Sequence, residues 1–120
     1  MKDSTMSMDL YARNDDSVTF SANAWTWRPL NSLMLSIGAI DESMHYKMSF
    51  NDGDGPNGER TRVITDRLNK WLHINQGVTE VHLPEVDGVF DLDYFTPRER
   101  ILEFMEFCDK CITLGGFVVF

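Results

Sequence analysis

The chain has 120 residues, 42% of them hydrophobic and 25% charged, which suits one globular domain able to bury roughly two-thirds of its unfolded surface without disulfides or metal. Nineteen acidic residues against eleven basic ones leave a net charge of −8 and an isoelectric point near 4.7, a balance that repels phosphate backbones and anionic membrane surfaces. Nucleic-acid binding and membrane association are therefore disfavoured.

Residues 1–10, MKDSTMSMDL, contain no apolar run of signal-peptide length, and no later window approaches a membrane span. The expectation is a cytoplasmic protein whose residues 1–5 form a frayed tail. SMDLYAR (7–13) and SVTFSA (17–22) alternate apolar with polar side chains around an Asn14-Asp15-Asp16 cluster, which predicts a β-hairpin.

The segment 20-FSANAWTWRPL-30 follows. Asn23 suits a helix N-cap, and Pro29 is tolerated in the first turns because its missing donor is not needed there. Leu30, Leu33, Met34 and Ile37 then recur at helical spacing up to Gly38, a natural stop. Two residues along a helix turn the side chain by about 200°, so Trp25 and Trp27 cannot share one core: one is buried and the other partly exposed. Two readings stand. Trp27 with Arg28 forms a surface anchor, as Trp and Arg do in binding hot spots; or an indole roofs the core and Arg28 pairs with a nearby carboxylate.

Residues 44–50, MHYKMSF, fit a third strand. The loop 51-NDGDGPNG-58 suggests a cation site, but counting an EF-hand from Asp52 puts Pro56, Asn57 and Val63 at positions 5, 6 and 12, so the template fails. A phosphate cradle fails for want of the following lysine. The simpler reading is a turn ending in Asn57 as the N-cap of a helix over 58–75. That helix carries Ile64, Leu68, Trp71 and Leu72 on one face.

From Trp71 to Pro97 there is no lysine or arginine, but there are the acids Glu80, Glu85, Asp87, Asp91 and Asp93. Asp87-Gly88 between Val86 and Val89 signals a two-residue hairpin. In that register Val81, Leu83, Phe90, Leu92 and Tyr94 share one face, His82 stands opposite Asp93, and Pro84 marks an edge strand. The outer side is then either an acidic face offered to a partner or a solvated sheet surface. Thr96-Pro97-Arg98-Glu99 reads as N-cap, N1 proline and capping-box glutamate of a last helix. Its apolar rows, Ile101, Leu102, Met105, Cys108 and Ile112, then Phe104, Phe107, Cys111 and Leu114, are wide, and the terminal FVVF reads as a buried strand.

Cys108 and Cys111 are the only cysteines. A Cys-x-x-Cys pair late in a helix lacks the N-terminal field that activates redox thiols, and His45, His73 and His82 lack ligand spacing, so both cysteines are expected in the core. Gly-x-Ser-x-Gly and His-Glu-x-x-His are absent, no cofactor is called for, and the chain is read as no enzyme.

FSANAWTWRPL, NDGDG ahead of a leucine-spaced helix, and FCDKCITLGGFVVF together resemble a group of small bacterial and phage-associated proteins. These have a Trp-x-Trp segment, an Asn-x-Gly loop and a terminal Gly-Gly-Phe. The likeness covers most of residues 7–120; it implies a similar fold and carries no activity, and the acidic loop departs from the pattern.

The sequence thus predicts a single α+β domain with a small, mainly antiparallel sheet packed against about three helices. Its predicted role is binding, inhibitor-like or immunity-like, to a basic protein partner through Glu85, Asp91 and Asp93 for charge and Trp27 with Arg28 as anchor. The alternative is small-ligand or metal binding through the 51–58 loop, with catalysis a weaker third. Homo-oligomerisation is left open.

Overall fold

In the computed structural model, which describes residues 7–82 and 95–120, the chain opens with the expected hairpin. Strands β1 (Ser7–Ala12) and β2 (Asp15–Asn23) pair antiparallel, with Leu10 opposite Phe20 and a register shift after Tyr11. Alternation puts Met8, Leu10, Ala12, Phe20 and Ala22 on the buried face.

Helix α1 (Ala24–Ser36) starts at once, its Asn23 side chain accepting from the Thr26 amide as an N-cap should. Helix α2 (Glu42–Met48), capped by Asp41, replaces the third strand expected over 44–50. Helix α3 (Gly58–Ile74) is capped by Asn57 as expected, and buries Thr61, Ile64, Leu68 and Leu72. Short strands β3 (Glu80–His82) and β4 (Phe95–Pro97) pair antiparallel and lead into α4 (Arg98–Cys111) and a 3-10 turn over Ile112–Leu114. The chain closes on β5 (Phe117–Val119), antiparallel to β1, in the sheet order β2-β1-β5. The described residues thus hold four α-helices rather than three, on a mainly antiparallel arrangement of strands.

Thr96 is not the N-cap of α4. That position falls to Pro97, which makes no capping bond, because the fully buried Thr96 hydroxyl donates instead to the Thr26 carbonyl and ties β4 to α1. Arg98 also serves a neighbour. Its guanidinium donates to Leu72 O (2.9 Å), Asn75 O (2.8 Å) and Val78 O (3.1 Å), closing the C-terminal end of α3, where the carbonyl dipoles favour a cation.

The core forms between the sheet and the helices around Phe104, which meets Phe20 at 5.4 Å, Trp27 at 5.6 Å and Phe117 at 5.8 Å between ring centroids. These contacts are mainly edge-to-face, as ring quadrupoles favour. The NDGDGPNG loop is bound to the sheet margin: Gly53 N donates to Val119 O (2.7 Å), Val119 N to Asp54 O (2.9 Å) and Phe117 N to Pro56 O (3.1 Å). Gly55 permits that approach, since a Cβ there would lie 2.1 Å from Phe117 O.

Candidate functional site

The tryptophan question resolves in favour of burial for Trp27, which is 1% exposed and donates its indole N–H to the Met48 carbonyl at 2.7 Å. The expectation of Trp27 as a surface anchor is corrected. Its position faces Phe104 and the end of α2, and an indole N–H taken from water needs a partner of that kind. Arg28, the next residue, is exposed, and Trp25 is half-buried. The structure therefore does not bring Trp27 and Arg28 together as one exposed anchor.

Glu85, Asp91 and Asp93, the Asp87-Gly88 turn and the tail over 1–5 lie outside the described residues. The flanking pairs still fix one point. Glu80 stands opposite Pro97, Val81 opposite Thr96 and His82 opposite Phe95. His82 thus stands opposite Phe95, whereas the two-residue hairpin register placed it opposite Asp93, which lies outside the described residues. Instead its Nε2 lies 2.6 Å from a Glu80 carboxylate oxygen, and its ring is 5.9 Å from that of Phe95.

Both thiols are internal. Cys108 and Cys111 are free and fully buried in the core. Burial pushes the Cys111 thiol up to about 12. Burial, then the neighbouring Cys111 and Asp109, raise Cys108 well above the ordinary thiol range. Burial thus favours the protonated form of both thiols, the less nucleophilic one.

The acidic loop is held in place through its backbone. Its backbone oxygens at Asp54 and Pro56 accept from β5, and Gly55 O accepts from Arg13 at 2.6 Å. Among the described residues no three His, Cys, Asp or Glu side chains are grouped to hold a metal ion.

What the sequence did not single out is a surface groove of about 650 Å³ between α3 and α4. Leu102, 49% exposed, and half-buried Met105 and Ile112 give it an apolar floor; Asp66, Glu106 and Asp109 stand around it with Arg62, Thr65 and Asn69. The one sequence signal for it was the excess width of the α4 stripe. Ile101, Phe104, Phe107 and Cys108 fill the core, so Leu102 is left outside and Met105 is only half-buried at its margin.

These features define the protein by architecture: an α+β domain whose two thiols and Trp27 are internal and whose described carboxylates, Asp9 apart, are exposed. No protein-family model, curated protein or solved structure matches the chain. No helix among the described residues is long and apolar enough to cross a membrane.

Proposed function

We propose that this chain is a binding module for a basic protein, acting as an inhibitor or immunity-type antagonist of that partner. The observation that carries the reading is the placement of charge. The chain has a formal charge of −8, and apart from Asp9 every described aspartate and glutamate is exposed. An excess of carboxylates at the surface accelerates encounter with an oppositely charged partner and orients it. Meanwhile the side chains best suited to covalent chemistry, Cys108 and Cys111, are spent on packing.

The test is capture by the immobilised protein from a lysate of its own organism at low salt, followed by reconstitution with the purified partner. The reading expects a basic protein retained in stoichiometric amount, released as salt rises, and bound with an affinity that falls on screening. Retention of a neutral or acidic protein indifferent to salt would count against it, as would an empty bait.

A further inference from the structure

Helices α3 and α4 run antiparallel, since Gly58 at the start of α3 abuts the Ile112 carbonyl just beyond α4. Each turns one stripe toward the groove between them. On α4 the stripe is Leu102, Met105, Glu106 and Asp109; on α3 it is Arg62, Thr65, Asp66 and Asn69. Both follow the i, i+3, i+4, i+7 spacing of a single helical face. Seven residues of rise make each stripe about 10 Å long, the length of two turns of a third helix.

We propose that this groove is the docking site for the partner of the binding reading above, on which it rests, and that it takes a cationic amphipathic helix. Apolar side chains of that helix seat on Leu102 and Met105, and its lysines or arginines reach Asp66, Glu106 and Asp109. A helix is the natural occupant because two parallel-sided helical ridges accept a third between them, with anchors spaced at i, i+3, i+4 and i+7. The charge of the occupant follows from the rim, where three carboxylates face one guanidinium, Arg62. An anionic helix, a nucleic acid or an acidic membrane would meet like charge there. A second copy of this chain is disfavoured for the same reason, carrying the same net −8.

The experiment uses a fluorescein-labelled, amide-capped peptide of about 14 residues with leucines on one helical face and lysines elsewhere. A scrambled peptide of equal composition and one with glutamate for lysine serve as comparisons. Anisotropy is expected to show the amphipathic lysine peptide binding about tenfold more tightly than the scramble, and the glutamate peptide not binding. The methionine methyl spectrum should show Met105 moving while the buried Met34 and Met48 stay in place. Glu106→Gln with Asp109→Asn, and separately Leu102→Gln at an exposed position, should each weaken binding by about tenfold. Glu42→Gln with Asp52→Asn, outside the groove, should change it by less than about twofold.

Equal binding of peptide and scramble would overturn the proposal, as would a still Met105 methyl or equal losses in the two carboxylate pairs. Self-association in sedimentation that the Leu102→Gln change abolishes would assign the groove to a second copy and also overturn it. The two readings fail separately: a groove variant that still captures the salt-released basic partner rejects the groove alone, whereas a wild-type protein that captures none rejects the binding reading itself.

Discussion

The indole N–H of Trp27 donates to the carbonyl of Met48 at 2.7 Å, joining the first turn of α1 to the last residue of α2 inside the core. The bond explains why a tryptophan flanked by polar residues is internal. Replacing Trp27 by Phe removes the donor, strands a buried carbonyl and leaves part of the indole volume empty. The expected cost is about 2–4 kcal/mol, measured by urea unfolding followed by circular dichroism. Trp25→Phe, at a half-buried site, should cost clearly less; equal costs would contradict the assignment of Trp27 to the core.

The elements legible in the sequence are those whose signals are local. The β1–β2 hairpin follows from alternation and its turn residues, α1 and α3 from Asn23 and Asn57 at their N-caps, and β5 from a continuous apolar run. Residues 44–50 mislead because Met44, Tyr46, Met48 and Phe50 satisfy two periods at once. In the structure Met44 and Met48 of α2 lie inside, and Tyr46 and Phe50, the latter just beyond the helix, lie outside with their rings 5.1 Å apart; the Asp41 N-cap decides for the helix. Thr96 misleads for a different reason. Its local sequence is a capping box, but a tertiary partner, Thr26 O, claims the hydroxyl. The α3–α4 groove was legible only as surplus apolar width on α4, since the floor and the facing carboxylate of Asp66 come from helices distant in sequence.

Arg98 gathers three carbonyls, from Leu72, Asn75 and Val78, at the end of α3. A guanidinium spans them with donors in one plane, which an ammonium cannot reproduce. Arg98→Gln is therefore expected to lower stability by about 2–3 kcal/mol, with Arg98→Lys recovering only part of it. Amide hydrogen exchange offers the sharper readout: protection should fall first over the last turn of α3 and the 75–79 connection. A uniform fall across the chain would mean that Arg98 acts through global packing and not as a cap.

The two thiols should be silent in the folded protein. At neutral pH neither Cys108 nor Cys111 is expected to react with an aromatic disulfide reagent until urea unfolds the chain, when both react. Their pH linkage has a definite sign. The ordinary thiol value is 9.0, and burial raises Cys111 to about 12, so the folded state holds its proton where the unfolded chain has lost it. The stability associated with the protonated Cys111 thiol is complete below pH 9 and is lost as pH rises toward 12, and Cys108 acts in the same direction. Because tyrosine and lysine also titrate there, the comparison is with Cys108→Val, Cys111→Ala, whose stability should fall less steeply over that window. Parallel alkaline slopes would show that the thiols are solvated in the folded state.

The antiparallel seating of α3 against the end of α4, on which the groove depends, rests on a glycine. Gly58 opens α3, and a Cβ there would lie 2.5 Å from the Ile112 carbonyl oxygen. Alanine normally improves a helix over glycine by up to about 1 kcal/mol, but here the methyl must displace backbone. Gly58→Ala is therefore expected to destabilise by about 1–3 kcal/mol and to weaken the cationic peptide by widening the approach of the two helices. Gly77 is the opposite case: a Cβ there meets nothing within 4 Å, so Gly77→Ala should be neutral or stabilise by up to about 1 kcal/mol through the unfolded chain. Thermal melts of the two variants should move in opposite directions. A rise in both would place α3 farther from the Ile112 turn than the contact requires, and would leave the groove without its fixed geometry.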